Sequence, residues 1–341
     1  MFSSLRKAAS DFAPHASMIY AQFASGGYIV LSQVMLDDGA SSTVYLVYQF
    51  IIITVFMTVL ALIFERKERP TLTFSILCRI FGLAFVGLTL ATNLLAAGLY
   101  FVSGTVETAV LNMLPVITFS ISIMSQQEKL GIKTSWGQGK LLGTLLSVIG
   151  ALTVVLWKGS PSIDPLKMSS TYWFLGTLLV ILGVLASSSW ILMLRPVVTV
   201  YPAVMSMNAI MSFFATLQGA AVAAITGHKP SEWRLSWNLE LLNIFIGGIL
   251  YNGLANLFVT WCVAKKGPIF VASFSPLAVV FATFLGVVFL GDALHIGSVV
   301  GAVVIVMGLY IFLWSKAKEE DCCSINDENP LDSPFISNSA P

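Results

Sequence analysis

Ten stretches of roughly twenty apolar residues, parted by short charged or turn-forming breaks, run through this chain. A helix rising about 1.5 Å per residue needs about that length to cross roughly 30 Å of hydrocarbon. The stretches lie at 14–35, 43–64, 74–97, 101–125, 138–157, 170–193, 202–226, 239–263, 268–290 and 295–314. The breaks are Asp37-Asp38-Gly39, Glu65 to Pro70, Gln126 to Lys140, Lys158 to Lys167, His228 to Arg234, Lys265-Lys266-Gly267-Pro268 and Gly291-Asp292, and a tight turn near Gly104 joins the third and fourth spans. Hydrophobic residues make up 57% of the chain and charged residues 10%, where an ordinary soluble domain is about 25% charged. This balance excludes a soluble enzyme, a disordered chain and a collagenous one, and four cysteines (Cys78, Cys262, Cys322, Cys323) are too few for a disulfide-stapled module. A net charge of +1 carries no nucleic-acid footprint. The expected class is an all-α, multispanning membrane protein.

Charge placement orients the spans. With the N-terminus cytoplasmic, one side holds Arg6, Lys7, Arg66, Lys67, Arg69, Lys129, Lys133, Lys140, Arg195, Lys265, Lys266, Lys316 and Lys318, and the other only Lys158, Lys167, Lys229 and Arg234. Arg79, at the start of the third span, snorkels to the first side in this reading. Both termini are then cytoplasmic. Residues 1–13 form a cytoplasmic N-terminus, 158–169 a non-cytoplasmic linker, and 315–341 a disordered cytoplasmic tail. A signal peptide ending near Ala24-Ser25-Gly26 is the alternative for the N-terminus, but the apolar run continues through Met35, as a first span requires.

The two halves, 14–157 and 170–314, look alike. Tyr100 to Ile117 lies on Trp261 to Ala278 at one offset, pairing Asn112 with Ser273 and Pro115 with Pro276. Gly143 and Gly150 in the fifth span recur as Gly301 and Gly308 in the tenth, each helix preceded by an acid (Glu128, Asp292) and closed by a tryptophan (Trp157, Trp314). Five spans per half, an odd number, invert the second half relative to the first, which is the inverted-repeat plan of secondary transporters. Small residues also serve simple helix packing, and the glycines fit that reading as well.

Several stretches carry a family resemblance: Leu114-Pro115-Val-Ile-Thr-Phe119, Tyr201-Pro202-Ala203, Gly267-Pro-Ile-Phe-Val-Ala-Ser-Phe-Ser-Pro-Leu277, Gly291-Asp-Ala-Leu-His-Ile-Gly-Ser298 and Gly308-Leu-Tyr-Ile-Phe-Leu-Trp314. With these the chain resembles the plant Walls-Are-Thin-related branch (WAT-related, nodulin-like, UMAMIT) of the EamA-type drug/metabolite transporters, over nearly its whole length except the tail. The resemblance implies a ten-helix transporter or facilitator of amino acids or auxin, in plasma or vacuolar membranes. Two positions depart from the family pattern. Gln49 follows Tyr48 where relatives often carry arginine, and Asp292 stands where glutamate is usual. Gly159-Ser160-Pro161 resembles the family's lysine-glycine-proline ending of the fifth span with a serine inserted.

No metal signature, nucleophile elbow, phosphate loop or dinucleotide fingerprint occurs, and no cofactor is implied. The carboxylate runs Glu65 to Glu68 and Glu319-Glu320-Asp321 lie in polar flanks, and His15, His228 and His295 are scattered at membrane boundaries. Uncharged polar residues inside spans are the better pointers, because hydrocarbon penalises them unless they face a cavity or a partner. Gly248, Asn252, Asn256 and Thr260 share one face of the eighth span, and Thr108 and Asn112 one face of the fourth. Gln22, Asn93, Ser189, Trp190, Ser273 and Ser275 complete a candidate lining, with Gln49 as a gating candidate. Amides donate and accept, so such a set suits a zwitterion. Interhelical hydrogen bonding is the competing account of every one of these residues. Pro115 and Pro276 read as paired hinges or as packing kinks.

Mid-span charges are absent, which favours facilitated diffusion over a proton relay. Glu107, at the non-cytoplasmic start of the fourth span, is either a gate or proton site or a carboxylate stabilised by a helix N-terminus. Lys265-Lys266 serve topology in this reading rather than an anionic substrate. Cys322-Cys323 lies within reach of palmitoylation, and the chain has no Asn-X-Ser/Thr sequon. The expected function is alternating-access transport of small amphiphilic or zwitterionic metabolites through a cavity built by the first, third, fourth, sixth, eighth and ninth spans. Amino acids lead and indole-type auxins follow; a non-transporting receptor or scaffold is the alternative class. The expected partners are the substrate, the bilayer and, as an open question, a second copy in a homodimer.

Overall fold

A computed structural model describes residues 2–37, 42–67, 69–99, 101–102, 104–125, 134–157, 170–225, 233, 239–291 and 296–328. The 158–169 linker, Lys129, Lys133, His228, Arg234, Asp292, His295 and the tail after 328 lie outside them, as do the side chains of Cys322 and Cys323. The described residues are helical with short turns and contain no strand. The first two spans are α1 (Phe2–Asp37) and α2 (Ser42–Phe64). The third runs through α3 (Phe74–Leu83), a π-helical segment Ala84–Leu90 and α4 (Ala91–Leu99). The fourth is broken into α5 (Gly104–Leu111) and α6 (Leu114–Met124), and the fifth is α7 (Ser135–Trp157). The second half repeats the pattern. Its sixth and seventh spans are α8 (Ser170–Val200) and α9 (Val204–Ile225). The eighth comprises α10 (Leu239–Ile246), a π segment Gly247–Ala255 and α11 (Asn256–Lys266). The ninth comprises α12 (Pro268–Ser273), α13 (Leu277–Leu285) and a π turn Gly286–Leu290, and the tenth is α14 (Ile296–Glu328). Nine of the ten spans are long and apolar enough to cross a bilayer by composition among the described residues, and α1, 36 residues long, is the tenth. The protein is an integral, multi-pass membrane protein.

Local chemistry explains the punctuation. Thr73 opens α3, its hydroxyl accepting the Ile76 N–H at 3.4 Å. Gly267 turns the chain between α11 and α12 at φ 87°, a conformation that glycine tolerates, and Pro268 then starts the next helix where its missing N–H costs nothing. The fourth span breaks at Asn112-Met113, where the N–H of Met113 bonds to Val110 O at 2.9 Å, a tighter turn than an α-helix makes, and Pro115 follows in the first turn of α6. The ninth breaks at Phe274–Pro276 in the same way, with Phe274 N–H on Val271 O at 3.2 Å and Ser275 N–H on Ala272 O at 3.1 Å. Both prolines that the sequence pairs therefore stand beside helix breaks.

The outermost helices extend beyond their apolar cores. Helix begins at Phe2 rather than 14, and α14 stays helical to Glu328 where an irregular tail was expected from 315. For α14 past Trp314 the cause is tertiary. Lys140, only 2% exposed, pairs with Glu319 at 2.7 Å, and Lys316 Nζ donates to Lys266 O at 2.8 Å, so the last turns of α14 are tied to α7 and to the end of α11.

Helices α7 and α14 cross on the paired glycines. A Cβ on Gly143 would overlap Gly308 O and Phe312 N, one on Gly150 would meet Ile305 N at 2.7 Å and Gly301 O at 2.8 Å, and the reverse holds for Gly301 and Gly308. Gly143 faces Gly308 and Gly150 faces Gly301, so the two helices run antiparallel. The fifth and tenth spans, equivalent in sequence, thus point in opposite directions, and the halves are related by inversion. The glycines do the packing work that small residues do in membranes.

The remaining spans interleave the halves. The first packs on the eighth and ninth, the sixth packs on the third and fourth, and the second packs on the seventh. These contacts come in pseudo-symmetric pairs: α1 with the π segment at 247–255 matches α8 with the π segment at 84–90, α1 with α13 matches α8 with α6, and α2 with α10 matches α9 with α3. Some contacts have no counterpart. Helix α12 packs on α6 and α8, and α11 packs on α8 and α9, whereas among the described residues the mates α5–α13, α5–α1, α4–α1 and α4–α2 are not packed together to a comparable extent. These four contacts lie at the end that carries Arg66, Lys67, Arg69, Arg195, Lys265 and Lys316, hereafter the basic end, while α5–α8, at the opposite end, also packs more closely than its mate α12–α1. The eighth and ninth spans therefore meet the fourth, sixth and seventh more closely at the basic end than their mates meet at the other.

Candidate functional site

The sequence-derived polar residues divide into those spent on the scaffold and the remainder. Gln49, 1% exposed, is a structural hub. Its Oε1 accepts Asn252 Nδ2 at 2.9 Å and the Tyr28 hydroxyl at 3.4 Å, and its Nε2 donates to Asn243 O at 3.5 Å. Gln218, which sequence reasoning missed, does the same in the other half. Its Oε1 accepts the Thr89 hydroxyl at 2.7 Å and its Nε2 donates to Phe81 O at 3.5 Å. Each glutamine thus bonds a carbonyl just before a π segment and a side chain within it. A π turn shifts the backbone register, and each amide bonds the helix beside such a turn. Gln49 and Asn252, expected as gate and ligand contact, are therefore partners of one another across 203 positions of sequence.

Other candidates are also engaged. Thr260 is buried, donates to Asn256 O at 2.8 Å and accepts Asn208 Nδ2 at 3.4 Å, joining α11 to α9. The Ser273 hydroxyl bonds Phe270 O at 2.7 Å inside the all-buried α12. Ser189 bonds Leu185 O at 2.8 Å. Trp190 lies against Gly87 so closely that a Cβ there would overlap the indole, and its Nε1 is buried without a partner.

Helices α4 and α5 are half-buried on every face from Thr92 to Ala97 and from Val106 to Leu111. Asn93 donates to Thr89 O at 2.7 Å and Asn112 to Thr108 O at 2.9 Å, so Asn112 sits at the helix break with its amide steadied by its own helix. Glu107 stands half-buried in the first turn of α5. Gln22 on α1 and Asn256 on α11 are half-buried too, with no side-chain hydrogen bond among the described residues. Gln22, Asn93, Glu107, Thr108, Asn112 and Asn256 thus come from the first, third, fourth and eighth spans. Tyr28 and Tyr251, which the sequence reading did not single out, stack at 4.5 Å and 12° over the Gln49 cluster. No group of side chains among the described residues could hold a metal ion.

The basic end is built differently. Glu65, following α2, accepts the backbone N–H groups of Met205 at 2.8 Å and Ser206 at 2.7 Å, together with the Ser206 hydroxyl at 2.7 Å, and so caps α9. Tyr201 is buried beside it between α8 and α9. Burial raises its hydroxyl above the usual tyrosine range, against the lowering effects of Ser206 and Arg69. His15 packs edge-on to Phe270 at 5.2 Å, and Phe270 to Phe274 at 5.1 Å.

Known proteins share this architecture. The EamA-like transporter family matches residues 15–156 and again 174–314, once in each half. WAT1-related protein At3g30340 of Arabidopsis thaliana is 33% identical, with 89% of this chain and 86% of that protein aligned. WAT1-related protein At3g18200 of the same plant is 35% identical over 89% of this chain and 82% of its own. At4g01450, also WAT1-related, is 33% identical over 92% and 89%. One solved crystal structure superposes with a TM-score of 0.68 over 89% of this chain and 99% of its own at 17% identity, a likeness of fold. Two family matches, laid on two five-span halves whose equivalent helices run antiparallel, leave one assignment: the chain belongs to the EamA-like transporter family.

Proposed function

We propose that the protein carries small organic metabolites across a membrane by alternating access, amino acids first and indole-type acids such as auxin second, without catalysing a reaction. The supporting observation is the broken pseudo-symmetry: α11 and α12 pack on α6, α8 and α9 at the basic end, and their mates do not pack to a comparable extent at the other. Exchanging the conformations of the halves closes the open end and opens the closed one, the motion that inverted repeats permit. The half-buried amides of Gln22, Asn93 and Asn256 and the buried amide of Asn112 match a ligand that both donates and accepts. In this reading the repeats span 14–157 and 170–314, both termini and the basic end are cytoplasmic, and the host is the plasma or vacuolar membrane. Pro115 and Pro276 are the hinges of the two broken spans. Thr108 and Asn112 face the substrate, while Asn252, Thr260, Ser273 and Trp190 hold the walls in place.

Counterflow in proteoliposomes tests this, with labelled amino acids and indole-3-acetate as probes, with and without a pH gradient. Saturable exchange by the wild type, cut at least tenfold in Asn112→Leu, is the expected result. A gradient response abolished by Glu107→Gln would add proton coupling. Absence of exchange by folded protein in both probe sets would favour a receptor or scaffold.

A further inference from the structure

Hydroxyls in membrane helices ordinarily bond the carbonyl one turn back, and this protein follows the rule at the buried Thr144, Thr260 and Ser315 as well as at outward-facing positions. On α6, Ser120 bonds Val116 O at 2.8 Å and Ser125 bonds Ile121 O at 2.8 Å. Thr118 and Ser122, on the buried face of the same helix, do not. Both are fully buried, and neither hydroxyl has a partner. Ser188 on α8 is likewise buried and unpaired, as are the Tyr20 hydroxyl on α1 and Trp190 Nε1. An unmet polar group in a low-dielectric interior is costly, so evolution removes it unless another state uses it. Thr118 and Ser122 lie four residues apart, in the half of the fourth span that reaches the basic end. Their helix packs on α8, a contact matched by α1 with α13, and on α12, a contact that lacks a counterpart of comparable extent at the opposite end.

One side chain is placed to hold that end shut. Glu65 belongs to the end of α2, which packs chiefly on α9 and also on α10 and its π segment. Its partners Met205 and Ser206 open α9, which also packs on α3 and the other π segment. The carboxylate therefore fastens the basic end of the α2–α9 pair, whose two helices flank the bundle of the first, eighth and ninth spans and the bundle of the third, fourth and sixth. Asn208, one turn into α9, adds the bond to Thr260.

We infer that Thr118 and Ser122 line the basic-end half of the transport path, shut in this structure, and that Glu65 is the latch that keeps it shut. When the latch parts, α12 leaves α6 and water and substrate reach the two hydroxyls, which supply an uncharged, hydrogen-bonding track in an otherwise apolar half. The inference rests on the transport reading above, yet its test needs no substrate.

Ser122→Cys and Thr118→Cys are placed singly in the full chain in lipid nanodiscs and exposed to a charged, water-soluble methanethiosulfonate reagent. Modification is followed peptide by peptide, so that Cys78, Cys262, Cys322 and Cys323 are separated from the new thiol. With Glu65 intact, both thiols react slowly. With Glu65→Ala added, modification of Ser122→Cys accelerates at least tenfold and of Thr118→Cys less, while Ser120→Cys, on the outer face of the same helix, does not accelerate. Should the alanine variant lose its helical content or elute as aggregate, Glu65→Gln, which keeps the acceptor oxygen and removes the charge, gives an intermediate acceleration. Equal rates with and without the latch in folded protein, or fast modification with the latch intact, overturn the inference. Acceleration without exchange of either probe would overturn the transport reading alone, and exchange without acceleration would overturn this inference alone.

Discussion

Gln49 and Gln218 show how much a single side chain decides here. Each reaches from a straight helix to a π segment in the opposite half and satisfies one backbone carbonyl and one side chain there. Gln49 is almost wholly buried, whereas Gln218 keeps contact with its surroundings. Removing a buried partner leaves the other group unpaired at about 1–3 kcal/mol, while an accessible site recovers much of that from water. Gln49→Ala should therefore lower the unfolding midpoint in detergent clearly, and Gln218→Ala by less than half as much. Equal losses would mean that the two sites are equally sealed. From sequence, Gln49 was legible as an odd polar residue in an apolar span, and its eighth-span partner Asn252 as part of a polar stripe. Their mutual bond was not legible, because nothing local links residues 203 positions apart.

At the scale of elements, helix existence follows from apolar runs, and helix ends follow from what the ends touch. The paired prolines marked the breaks in the fourth and ninth spans correctly as special positions, since a missing N–H acts locally. The π segments of the third and eighth spans carried no such mark; they arise where a helix adjusts its register to fit its neighbours. The length of α14 is the clearest case of a tertiary decision. Its last turns are polar and would fray alone, but Lys140, buried on α7, holds Glu319 at 2.7 Å. Glu319→Ala leaves that lysine without its partner and should cost about 1–3 kcal/mol, since the partly exposed carboxylate is replaced in part by water. Hydrogen exchange checks this: amides after Ser315 should lose most of their protection while those of α7 keep theirs.

At the scale of the whole molecule, the transport reading makes the conformational state the functional variable. Phe119 on α6, Ile269 on α12 and Phe312 on α14 form one small apolar cluster at the basic end. A chain carrying Phe119→Cys and Ile269→Cys should form a disulfide under mild oxidation, lose counterflow at least tenfold and recover it on reduction. Undiminished exchange by the cross-linked protein would show that α6 and α12 need not separate during transport.

Ten spans, their pairing into two halves and the inversion of those halves were determined by sequence alone. Hydrophobic length is set by bilayer thickness, and an odd number of crossings reverses orientation. The glycines and prolines were equally legible, because close approach and a missing N–H are properties of one residue. Which polar groups bond one another across helices was decided only by tertiary structure. So was the unequal packing of the two ends, since both depend on partners drawn from opposite halves of the chain. A sequence that is nearly symmetric in its two halves cannot say which of two packings, related by exchange of the halves about the pseudo-two-fold axis, it occupies; the contacts among α6, α8, α11 and α12 do.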